Sequence, residues 1–98
     1  MNTKRENKTH SLSQALRTLQ VLMALVKRPP FNLDRFEACK IQIFNLPLPA
    51  ATMQRHQKIL ARASRYVEFG ELGAVHFELK LLARNLESLL ESKCESVT

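Results

Sequence analysis

Glycine is nearly absent from this chain: Gly70 and Gly73 are the 2 glycines in 98 residues. That scarcity excludes the glycine-rich loops with which nucleotide-binding enzymes cradle phosphates. No nucleophile motif or paired-carboxylate site stands elsewhere in the sequence, so no enzyme activity is expected. Cysteine is equally scarce, and Cys39 and Cys94 lie far apart without CxxC spacing. They form neither a zinc motif nor a disulfide framework, and read as a core thiol and a tail thiol in a reducing cytoplasm. His10 and His76 are isolated and no Cys/His/acid cluster has metal-ligand spacing, so no metal or cofactor is expected. Long apolar runs are missing too. The longest, Val21 to Val26, falls far short of the roughly 18–20 residues of a membrane span, and no secretory signal opens the chain. Acids are outnumbered, 9 against 15 Lys and Arg, for a net charge of +6. Such an excess suits a polyanionic partner, because lysines and arginines displace counterions condensed on phosphates; it also suits a soluble surface that is merely basic.

What is present reads as one small domain. A hydrophobic fraction of 45% is globular, but a chain of this size buries a modest core, so support from a second copy is a natural expectation. Residues 1–10 are polar and basic through Lys4, Arg5 and Lys8, and read as a flexible arm or a frayed terminus. A first helix is predicted from about Leu12 to Lys27, capped by Ser11 or Ser13. Its stripe is Leu12, Leu16, Leu19, Met23 and Val26, and Pro29-Pro30 ends it. A second helix starts after Asn32, a fair N-cap, with Asp34 and Glu37 near its positive end. Leu33, Phe36, Cys39 or Lys40, and Ile43 keep helical spacing, but Ile41, Ile43 and Phe44 also suit a strand, which leaves its C-terminal boundary open. Pro47 and Pro49 force a turn.

A third helix opens at Pro49 and runs to about Ala63. Met53, Ile59 or Leu60, and Ala63 face inward, whereas Gln54, Arg55, Gln57, Lys58 and Arg62 face outward. Tyr66–Phe69 and Val75–Leu79 alternate as short strands do, and Gly70 and Gly73 permit a tight reversal between them. From Lys80 to Lys93 a leucine stripe (Leu82, Leu86, Leu89, Leu90) makes a last helix, either a dimerisation helix or one that packs on the first helix of the same chain. The fold class read from this order is mostly α, a winged helix-turn-helix: a three-helix core over residues 11–79 with a β-hairpin wing, a C-terminal helix over 80–93, and a tail over 94–98.

In such a fold the third helix enters the major groove. Small residues at its start let the backbone approach phosphates, and amides and cations then reach base edges or phosphates. Ala51, Thr52, Gln54, Arg55, Gln57, Lys58, Arg62 and Arg65 meet that requirement. Arg55, Lys58, Arg62 and Arg65 would hold phosphates, and Thr52, Gln54 and Gln57 would read bases. The wing, Gly70-Glu71-Leu72-Gly73, would lie along the flanking backbone, although Glu71 opposes phosphate. His56 reads as a packing residue, and Tyr66, Phe69 and Phe77 as the root of the wing.

The same stretch resembles the N-terminal winged helix-turn-helix domain of IclR-type bacterial transcription regulators. Ala15-Leu16-Arg17-Thr18-Leu19 matches the Ala-Leu-x-x-Leu of that family's opening helix. Leu48-Pro49-Ala50-Ala51-Thr52-Met53-Gln54-Arg55 stands where the family has Gly-Leu-Pro-x-Ser-Thr-Val-x-Arg, Tyr66-Val67-Glu68 where it has Gly-Tyr-Val-Glu, and Leu81 to Leu90 where it has a leucine-rich helix. The likeness spans roughly residues 12–90. Pro47 replaces the turn glycine, His56 and Gln57 stand where the family has leucines, and Arg65 is an extra residue before the wing. The family's effector-binding domain has no counterpart, so no small-molecule effector is implied. The resemblance implies a cytoplasmic, sequence-specific regulator of transcription, read as a repressor, that binds double-stranded DNA as a homodimer. Two alternatives stay open. Any solvated helix face can carry cations at such steps, so the scaffold could be a protein-interaction or adaptor module without DNA binding. A phage or plasmid replication or recombination accessory factor could also use the same fold on DNA.

Overall fold

The computed structural model describes the backbone of residues 3–28 and 30–95, and the side chains of 10–28 and 30–91. Four helices follow one another: α1 (Thr3–Val26), α2 (Leu33–Phe44), α3 (Ala50–Glu68) and α4 (Leu72–Glu95). No strand occurs among the described residues. The β-hairpin wing, and with it the winged helix-turn-helix class, is therefore overturned.

The reason lies in the period of the apolar residues. Val75, Leu79, Leu82, Ala83 and Leu86 are all buried, a three- and four-residue rhythm that belongs to one helix. Read over Val75–Leu79 alone it passes for alternation, an ambiguity inherent in short apolar runs. Tyr66–Glu68 likewise completes α3, and only the turn between the helices takes the place of the wing tip. Gly70 sits there with φ of +71°. The Gly70 amide donates to the Val67 carbonyl at 3.1 Å and the Glu71 amide to the Tyr66 carbonyl at 2.9 Å. This pair of bonds is the Schellman motif that closes a helix on a left-handed residue. Gly70 thus caps α3 and turns the chain back into α4 as a helical hairpin. Phe69 and Phe77, expected at the root of a wing, are exposed instead, and Tyr66 is half-buried.

Other boundaries shift in the same direction. Helix α1 takes in residues 3–10, the stretch read as an arm, and places Ser11 and Ser13 inside the helix rather than at a cap; the side chains of Lys4, Arg5 and Lys8 lie outside the described residues. Its buried row is Leu12, Ala15, Leu19, Leu22 and Val26, with Leu16 and Met23 beside it. In α2, Asn32 is the N-cap, and the Arg35 amide donates to its side-chain oxygen at 3.0 Å. The helix continues through Ile41 and Ile43 to Phe44, which closes the strand alternative. Pro49 precedes α3 with extended backbone.

The core is built around α4, which packs against both α1 and α3, while α2 lies on α1 and touches α3. Leu79, Leu82 and Leu86 are 0% exposed. The leucine stripe therefore serves the chain's own core, and of the two expectations for it, packing within the chain is the one observed. Cys39 is buried, and burial pushes its thiol up to about 11, which makes it an inert core group. Cys94 and residues 96–98 of the expected tail lie outside the described side chains. Among the described residues, no helix is long and apolar enough to cross a membrane.

Candidate nucleic-acid interface and an adjoining pocket

Helix α3 carries no acid before Glu68. Its inward row is His56, Ile59, Leu60 and Ala63, and that row fixes what points away. Ala51, Gln54, Arg55, Gln57, Lys58, Arg62 and Arg65 are exposed, and Thr52 is half-buried. At 3.6 residues per turn, Arg55, Lys58, Arg62 and Arg65 fall within about 80° of arc and span about 15 Å of helix. That length compares with the roughly 12 Å width of a major groove. Pro49 has no side-chain cap to offer, so the first amides of α3 keep their unpaired donors at the positive end of the helix.

Three of the eight expected contact residues, Arg62, Thr52 and Arg55, meet α4 or the pocket beside it. The Nε of Arg62 donates to both oxygens of Glu78 on α4, at 2.7 and 3.2 Å. The Glu78 side chain is 4% exposed and that of Arg62 51%, so a half-exposed arginine pairs with a buried acid. The hydrogen bond to Glu78 holds the Arg62 pKa above its ordinary value. Arg62 is thus tied to a buried acid of the fold, with half of its side chain open to solvent. Thr52 turns toward α4 rather than outward and lines a pocket there. Arg55 lines the same pocket from an exposed position, and Ala51, Gln54, Gln57, Lys58 and Arg65 are the other expected residues of the open face.

On its other flank α3 is tied to α2. Lys40 donates to the Ser64 hydroxyl at 3.1 Å and pairs with Glu37 at 3.2 Å. Its ammonium also lies 5.2 Å from the centre of the Phe36 ring, within cation–π range.

The pocket that Thr52 lines lies between α3 and α4 and has a volume of about 200 Å³. Its walls are Thr52, Arg55 and His56 from α3 and Asn85, Ser88 and Leu89 from α4. His56 is 0% exposed, and neither ring nitrogen has a hydrogen-bond partner among the described residues. Burial, and then the charge of Arg55, lower its pKa from 6.5, so the imidazole is neutral at pH 7. Sequence reasoning placed His56 in the packing, where it is. It missed Asn85, Ser88 and Glu78. The signal for Glu78 is its register with Val75, Leu79 and Leu82, which exists only once the segment is read as a helix.

No group of three or more potential metal ligands occurs among the described residues. The chain matches no family model, no curated protein and no solved structure at a significant level.

Proposed function

We propose that this chain binds duplex DNA through the open face of α3, as a small regulator of transcription. The observation that carries the reading is the acid-free helix whose Gln54, Arg55, Gln57, Lys58 and Arg65 are all exposed on a chain of net charge +6. Amides and arginines are the side chains that reach base edges, and cations set register on phosphates. The wing has no part in this reading. What is left of the resemblance to IclR-type regulators is the Ala15–Leu19 pattern in the opening helix, the Leu48–Arg55 start of α3 and a leucine-rich last helix. A two-fold dimer would use a face other than the leucine stripe, because Leu82 and Leu86 are consumed by the chain's own core.

Fluorescence anisotropy on a random-sequence duplex at low salt tests the proposal. Wild type is expected to bind, and Arg55→Ala with Lys58→Ala to lose most of the affinity. With Arg55, Lys58 and Arg65 as the phosphate contacts, log affinity should fall against log salt with a slope of about −2.7, easing to about −0.9 in the double variant. Equal binding by both proteins rejects the assigned face.

One observation favours a second reading, a protein-interaction module. Leu33, Ile41 and Phe44 are 51%, 61% and 43% exposed along α2, a row of the kind that marks association surfaces. An adaptor of that kind shows no retention on duplex DNA at low salt.

A further inference from the structure

The pocket between α3 and α4 has a chemistry of its own. Five of its six lining side chains are polar, one of them cationic, and none is acidic. Arg55 offers a fork of N–H groups, Thr52 and Ser88 offer hydroxyls, and Asn85 offers an amide. His56 lines the pocket from α3, 0% exposed, with both ring nitrogens buried and without a partner among the described residues. A polar group left so inside a core is costly and rare, and it turns this pocket from a surface dimple into a built site. The donors converge from two helices that the Gly70 turn holds side by side. Cations are opposed by Arg55, and an apolar guest would strand the hydroxyls and the amide.

We propose that this pocket binds a small oxyanion, a carboxylate or phosphate group, held by Arg55 with Thr52, Ser88 and Asn85 beside the His56 ring. The volume of about 200 Å³ admits a small metabolite rather than a macromolecular chain. Arg55 is the one charged group in the lining; α4 faces His56 there with Asn85, Ser88 and Leu89. A bound anion offsets the charge of Arg55 and favours a proton on the ring. Binding and protonation of His56 are therefore linked, and affinity rises as pH falls toward the His56 midpoint. The inference stands without the DNA reading, because the ligand is sought in the absence of DNA.

The test is titration of the full chain with sodium sulfate, followed by amide and imidazole NMR against sodium chloride at matched ionic strength, with sodium acetate as the carboxylate arm. Sulfate keeps its charge across the pH range in which histidine titrates. Saturable shifts are expected at Thr52, Arg55, His56, Asn85 and Ser88 with sulfate or acetate and not with chloride, and the His56 midpoint should move up at saturation. Arg55→Gln, at an exposed position, should weaken binding by at least about tenfold, and Ser88→Ala by roughly three- to tenfold. Lys58→Ala should leave sulfate binding unchanged while weakening DNA binding, which separates failure of the pocket from failure of the DNA face. Shifts that do not saturate, that chloride reproduces, or that survive Arg55→Gln at full affinity overturn the proposal. So does saturable binding with an unmoved His56 midpoint.

Discussion

His56 is expected to make this protein less stable in mild acid, and its removal to make the protein more stable at neutral pH. The side chain is 0% exposed and neither ring nitrogen has a partner among the described residues. A buried polar group without a hydrogen bond costs about 1–3 kcal/mol. His56→Leu, close in volume and without polar atoms, should therefore stabilise the fold by about 1–3 kcal/mol near neutral pH. For a chain of this size each kcal/mol raises Tm by roughly 4–8 °C. The pH dependence follows from the lowered pKa. In the unfolded chain the imidazole takes up its proton around 6.5, and in the fold it does so at lower pH, because of burial first and Arg55 second. Above the unfolded value both states are neutral and stability is full. As pH falls below it, the unfolded chain binds a proton that the fold refuses. Stability then drops, by at most about 1.4 kcal/mol per pH unit for one group, until the folded midpoint is passed. Urea unfolding monitored by helical ellipticity from about pH 7.5 to about pH 5 measures this. The gap between His56→Leu and wild type should widen as pH falls, which isolates the ring from every other titrating group. A variant less stable than wild type near neutral pH, or a gap constant across the range, refutes the reasoning.

Other perturbations follow from the same contacts. Arg62→Ala uncovers the Glu78 carboxylate, which is 4% exposed; with water able to enter from the wet side of the pair, thermal unfolding should report a loss of about 1–3 kcal/mol, and Arg62→Ala with Glu78→Leu should recover part of it. Gly70→Ala forces a side chain onto a residue at φ +71° and should cost about 1–2 kcal/mol in chemical denaturation, although nothing crowds the position; Gly73→Ala should be neutral or stabilising, being a helical glycine in open space. Leu82→Ala, at a site 0% exposed, should cost about 2–5 kcal/mol, visible as a large drop in Tm. An α4 whose leucines met only a partner copy would instead make the wild-type Tm depend steeply on protein concentration.

The sequence made the helices easier to place than their ends. Prolines mark real breaks: Pro30 lies between α1 and α2, and Pro47 and Pro49 lie between α2 and α3, because proline lacks the amide a helix interior needs. Asn32 caps α2 as its side chain suggests. The outward face of α3 was legible from the three- and four-residue steps of its cations, and that face is open in the fold. The false hairpin arose from Val75–Leu79, a run too short to distinguish a period of two from one of 3.6. Two glycines near it mimic a strand reversal, although only Gly70 adopts a left-handed backbone. The surroundings of Arg62 and His56 were out of reach for a related reason. Both depend on α4 beginning at Leu72, which brings Glu78, Asn85 and Ser88 alongside α3. Once that helix starts eight residues earlier than Lys80, an isolated-looking cation acquires a buried acid and a packing histidine acquires a pocket.

The most direct test of the account maps amide shifts on the full chain as a duplex is added at low salt. The shifts are expected to concentrate on the open face of α3, from Ala51 through Gln54, Arg55, Gln57 and Lys58 to Arg65, and to vanish as salt rises. Shifts centred on Leu33, Ile41 and Phe44, or none at all, would contradict it.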